Sequence, residues 1–86
     1  MDSNKQNLIN KILYRAQYRG TKEMDIFVSK FVKSIISDLN YEELVFLDKL
    51  INLDDEIIIK LSLGENSKDF ENSNILKKLI DFNSKY

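Results

Sequence analysis

Apolar residues recur at intervals of three and four along almost the whole chain, the spacing of one helical face rather than of a strand. Leu8, Ile9, Ile12, Leu13 and Ala16 form the first stripe. Ser3 and Gln6 have the spacing of a capping box before it, and Gly20 follows as the C′ residue, so a first helix is predicted over 4–19. Thr21 can cap a second helix, 22–37, with Glu23 and Asp25 in its electropositive first turns. Its wide apolar face is Met24, Phe27, Val28, Phe31, Val32, Ile35 and Ile36. The short connection at Gly20 predicts a hairpin or V between the two helices.

Asn40 and Glu43 repeat the capping-box spacing and open a third helix, 41–52, carried by Leu44, Phe46, Leu47, Leu50 and Ile51. Asp54 is read as the cap of a short fourth helix, 55–63, closed by Gly64. The β-branched run Ile57-Ile58-Ile59 alone suits a strand, but the segment has a cap, a stop and no partner strand in the chain. Residues 65–72 read as a polar loop pinned by Phe70. Ser73 starts a fifth helix, 74–83, with Ile75, Leu76, Leu79, Ile80 and Phe82 inward. The expectation is an all-α protein, one compact five-helix bundle forming a single domain over 1–86, without repeats or a sustained heptad.

Composition narrows the chemistry. The 86 residues include no Cys, His, Pro or Trp. That removes thiolate and imidazole catalysis, disulfides and His- or Cys-based zinc sites. No apolar run reaches the length of a membrane span, and the start MDSNKQNLINK has neither a signal-peptide core nor the Arg content of a transit peptide. The expectation is a soluble cytoplasmic monomer without metal or membrane partner. The net charge of −1 hides an asymmetry: residues 1–37 carry +4 and residues 38–86 carry −5.

Against eleven lysines the chain has only two arginines, Arg15 and Arg19, four apart on one face and followed by Gly20. Arg19-Gly20-Thr21-Lys22-Glu23 has two readings. It can be ordinary end-capping chemistry, with a cation, a Gly, a Thr cap and an acid in the next first turn. Against that stands a recognition surface, because Arg differs from Lys where planar, bidentate contact matters. Tyr14 and Tyr18, each one residue before an arginine, either line the helix seam or complete an exposed Tyr/Arg hot spot. Asp54, Asp55 and Glu56 lack the spacing of a calcium loop and read as first-turn acids, as do Glu42 and Glu43.

The run Ile12–Asp25, LYRAQYRGTKEMD after its first residue, resembles the signature of the succinate dehydrogenase assembly factor, or flavinator, family, small bacterial and mitochondrial proteins with an RGxxExD core. Here the core is Arg19, Gly20, Glu23 and Asp25, in wording most like the alphaproteobacterial branch. The likeness continues through the Leu39–Leu44 helix start, Leu50, Asp54-Asp55 and Gly64, about residues 8–64. The chain departs from the pattern at Leu61, where members usually carry Trp, and at Gln17 and Tyr18, where an aromatic or basic pair often precedes the Arg-Gly.

The resemblance implies a helper without catalytic residues of its own. Members assist covalent attachment of FAD to a histidine of the succinate dehydrogenase flavoprotein subunit, thought to proceed through a quinone-methide tautomer of the flavin. FAD then belongs to the client and is not held stably by the factor. The partner-binding residues implied are Arg15, Tyr18, Arg19, Gly20, Thr21, Lys22, Glu23 and Asp25, with Arg19 and Glu23 in contact and Gly20 permitting close approach. The similar flavoprotein of fumarate reductase is a second possible client. Rival readings are an antitoxin-like regulatory module, as some members have been labelled, and a small helix-turn-helix DNA binder. Two arginines and a pI of about 5.4 disfavour binding to nucleic acid.

Overall fold

The Asn40 side chain accepts from the Glu43 backbone N–H at 2.9 Å, and Glu43 returns a carboxylate to the Asn40 N–H at 3.0 Å. This reciprocal box satisfies two donors that an α-helix start otherwise leaves open, and it opens the third helix where the sequence places it. The structure is a computed structural model that describes residues 3–65 and 73–86. Among them are five helices and no strand: α1 (Ser3–Gln17), α2 (Lys22–Ile35), α3 (Tyr41–Ile51), α4 (Asp55–Ser62) and α5 (Asn74–Lys85), with a 3-10 turn at Ile36–Asp38. The all-α expectation holds, including the Ile57–Ile59 run, which lies within α4. The expected loop at 65–72, with its Phe70 pin, lies outside the described residues except for Glu65.

The chain divides into two compact units, Met1–Asn52 and Leu53–Tyr86. In the first, α1 packs against both α2 and α3. Its buried apolar residues are Ile12 and Ala16 of α1, Met24, Phe27, Val28, Phe31 and Val32 of α2, Leu39, and Leu44, Leu47, Leu50 and Ile51 of α3. Leu8, Ile9, Leu13, Ile35, Ile36 and Phe46, expected inward, are only half-buried. They sit at the margins of the apolar stripe, where a helix side chain covers the edge of a core rather than its centre.

The ends of the helices correct the sequence reading. Ser3, the predicted cap, lies within α1, and Gln6 Nε2 donates forward to Asn10 Oδ1 at 3.0 Å. It ends at Gln17, not residue 19. The last turn of the predicted second helix tightens into the 3-10 turn, after which Leu39 enters the core in extended conformation and Asn40 is free to cap α3.

In the second unit α4 packs on α5. Ile58 and Leu61 are buried on α4, and Ile75, Leu76 and Leu79 on α5, while Ile80 and Phe82 are half-buried. Leu61, the position of the departure from the family pattern, is 2% exposed and fills a core site. Asp54 has the backbone conformation of a cap, but its side chain makes no capping bond; its carbonyl accepts from Ile57 and Ile58 instead. At the other end Gly64, at φ +91°, donates to Leu61 O at 3.0 Å while Glu65 donates to Lys60 O at 3.1 Å. That pair of bonds is a Schellman ending, and it explains the stop. Ser73 caps α5, accepting from Ile75 and Leu76, and the helix continues to Lys85 rather than residue 83.

The two caps separate experimentally. Asn40→Ala removes a bonded cap and is expected to cost ~1 kcal/mol. Asp54→Ala loses only a charge near the helix start, worth ~0.5 kcal/mol. Chemical denaturation of both variants checks the order; equal losses contradict the geometry described.

Candidate functional site

The segment 18–25 turns the chain from α1 into α2, and its conformation is set by its own short polar side chains. A helix continued past Gln17 requires the Arg19 N–H to bond Arg15 O. Instead the Asp25 carboxylate accepts that N–H across six residues. Tyr18 N–H makes only a long 3.4 Å bond to Arg15 O, the tighter spacing of a frayed end. Gly20, at φ +147°, reverses the chain in a conformation that side chains disfavour. Thr21 then caps α2, its Oγ1 accepting from Met24 N–H at 3.2 Å and its carbonyl from Asp25 N–H at 3.0 Å. Gly20 therefore lies beyond a helix that has already ended, not at its C′ position.

The candidate residues divide by position. Thr21, itself exposed, and the half-buried Asp25 close the turn with their side-chain bonds to the backbone. Met24, inside the same motif, is buried in the core. Gly20, Lys22 and Glu23 are exposed, the last two on the first turn of α2, and Arg19 is half-buried with its backbone N–H committed to Asp25. Tyr18 is 67% exposed and Tyr14 65%, with ring centroids 4.8 Å apart and planes tilted by 43°. The tyrosines stand on the surface; they do not fill the seam between helices.

Arg15 is held by a partner that sequence reading does not supply. Its Nε donates to Asn52 Oδ1 at 2.8 Å, and Asn52 Nδ2 donates to the Asp48 carbonyl at 2.6 Å and the Asp48 carboxylate at 3.2 Å. Lys11 Nζ pairs with the other Asp48 oxygen at 3.3 Å. Four side chains thus bridge α1 and the end of α3. The spacing of Asp48 and Asn52 is visible in the sequence, but nothing local links either to a helix 37 residues away.

Chemically, the site offers two guanidinium-bearing residues, an exposed carboxylate, an ammonium and a pair of phenols. Among the described residues no cluster of acidic side chains is arranged to hold a metal ion, and no helix is long and apolar enough to cross a membrane. These groups suit contact with another macromolecule's charged and planar surface.

Most of the chain is similar to known proteins. Residues 10–83 match the model of a protein family described as flavinator of succinate dehydrogenase. A curated protein of Kluyveromyces lactis, named succinate dehydrogenase assembly factor 2, mitochondrial, is 31% identical over 77 residues. The aligned region is 84% of this chain and 47% of that protein, so the chain spans about half the length of its relative. No solved structure matches.

The turn's construction orders three substitutions by cost. Asp25→Ala leaves the Arg19 N–H without its charged acceptor and is expected to cost ~1.5–3 kcal/mol. Gly20→Ala, strained at positive φ though nothing crowds its Cβ, is expected to cost ~1 kcal/mol. Glu23→Gln on the exposed first turn is expected to stay within ~0.5 kcal/mol. Urea melts read all three, and an Asp25→Ala protein as stable as wild type contradicts the turn's construction.

Proposed function

The chain belongs to the succinate dehydrogenase flavinator family, and from that premise we propose that it is an assembly factor that binds the flavoprotein subunit of succinate dehydrogenase and promotes covalent attachment of its FAD. The family match over 10–83 carries this reading, because it takes in both the turn and the helices that build it. The chain acts as a helper. It has neither His nor Cys to serve as nucleophile or neutral-pH base. The flavin and the client's histidine supply the bond-forming chemistry, and this chain's residues bind and position the client.

The docking surface is the outer side of the α1–α2 turn. Arg19 and Glu23 contact the client, Gly20 lets its backbone approach closely, and Arg15, Tyr18 and Lys22 extend the surface to either side. Thr21 and Asp25 serve it by fixing the turn's shape. Binding favours the client conformation in which attachment proceeds, and the shift it achieves equals its preference for that conformation over the others. The client reading extends by the same chemistry to the flavoprotein of a fumarate reductase.

Deleting the gene in its native host is expected to lower covalent flavin on the flavoprotein subunit, read as fluorescence of the denatured band; unchanged flavin in a strain with no second helper counts against the function. Arg19→Lys tests the surface. It keeps the charge and loses the planar fork, so the variant is expected to melt within ~0.5 kcal/mol of wild type. Its affinity for the client should fall by ~2 kcal/mol or more, about thirty-fold. Wild-type affinity in Arg19→Lys reduces Arg19 to an element of the turn.

A further inference from the structure

The exposed side of α1 carries an organised group of side chains that neither the turn motif nor the core accounts for. Successive residues of a helix are rotated by about 100°, so positions 14, 11 and 15 fall within one arc of about 100°, and Tyr18, one residue past the end of α1, comes against Tyr14. Tyr14 and Tyr18 stack on each other along one edge of that arc, both about two-thirds exposed. Arg15 lies along the other edge.

Arg15 is also oriented. A surface arginine ordinarily samples many rotamers and loses that freedom when it binds. Here the Nε–Asn52 bond fixes the guanidinium plane, and Asn52 is itself fixed by two bonds to Asp48. Nε is one of five N–H donors on the group. The remaining four are on the two terminal nitrogens of an exposed side chain. A fork held at its base, beside a rigid aromatic pair, is matched to a planar acceptor such as a carboxylate, which it can grip bidentately. The formal charge of residues 1–37 is +4, and next to Arg15 the one acidic group described, Asp48, is already engaged by Asn52 and Lys11.

We propose that Tyr14, Tyr18 and Arg15 form a docking strip on α1 for an acidic segment of the partner protein, with Asn52 and Asp48 as the positioning residues that hold Arg15 ready. The inference rests on the docking reading above and extends it to Tyr14, Asp48 and Asn52. The tyrosines supply contact area at small entropic cost, and their ring faces pack against the backbone of the bound segment. Arg15 receives a side-chain carboxylate of the same segment. Asn52 and Asp48 do not touch the partner; they act through Arg15.

The test is a double-mutant cycle, read as the dissociation constant for purified flavoprotein subunit beside a thermal melt of every variant. Tyr14→Ala is expected to weaken binding about tenfold or more without changing the melt, the behaviour of an exposed anchor residue. Asn52→Ala is expected to weaken binding about three- to tenfold in the wild-type background and to have no further effect in an Arg15→Gln background. A merely structural Asn52 loses binding equally in both backgrounds, and that result overturns the positioning role. Tyr14→Ala binding like wild type overturns the strip. A short poly-glutamate peptide is expected to compete with the subunit while inorganic phosphate at the same charge concentration is not; competition by phosphate alone replaces the acidic segment by a phosphate group and overturns the partner assigned. Wild-type protein that fails to bind the subunit at all overturns the docking reading and this inference together, whereas normal wild-type binding with silent variants overturns the strip alone.

Discussion

One hydrogen bond decides where α1 stops. A backbone N–H that would extend the helix by a turn is taken by the carboxylate of Asp25, six residues ahead. The bond is charge-assisted and part-buried, conditions under which an amide–carboxylate contact is strong and its loss costly. Once Arg19 N–H is committed, the residues after Gln17 leave the helix, Gly20 reverses the chain, and Thr21 is in place to cap α2. Asp25 is also a first-turn acid of α2, where the helix dipole favours its charge. The same carboxylate therefore serves the end of one helix and the start of the next.

This economy lets a short segment hold the turn and, in the proposed reading, also present side chains to the client. Within Arg19–Asp25, Thr21 and Asp25 bond the backbone and Met24 enters the core, while Lys22 and Glu23 stand exposed on the first turn of α2. In that reading, the exposed residues meet the client on a surface whose shape the others have already fixed. Preorganisation of this kind lowers the entropy lost on binding. The Arg15–Asn52–Asp48 bridge applies the same principle one turn further back on α1.

The helices were legible because apolar spacing and capping residues agree along most of the chain. Asn40 with Glu43, Thr21, Ser73 and Gly64 each act as their local chemistry predicts. The misreadings lie at helix ends. Ser3, read as the cap of α1, lies inside the helix. Asp54 occupies a cap position that its side chain does not use. Gly20 suggested a C′ residue because Gly ends helices so often, but the carboxylate that ends this one lies downstream, where no periodicity marks it. At the candidate site, the composition singled out both arginines and left the choice between capping and recognition open. The structure supplies capping partners other than the Arg19 charge, since Asp25 and Thr21 hold the turn. Asn52, which orients Arg15, was invisible because its partner is brought to it by the packing of α1 on α3.

The central claim is that this chain promotes covalent flavin attachment by binding the flavoprotein subunit. Reconstitution from purified parts tests it directly: apo-flavoprotein subunit and FAD are mixed with or without the chain, and acid-stable flavin fluorescence on the subunit is followed over time. The account predicts faster accumulation of covalent flavin with the wild-type chain, saturating as the subunit becomes fully bound. The same rate with and without the chain, under conditions where binding is measured to be complete, contradicts it.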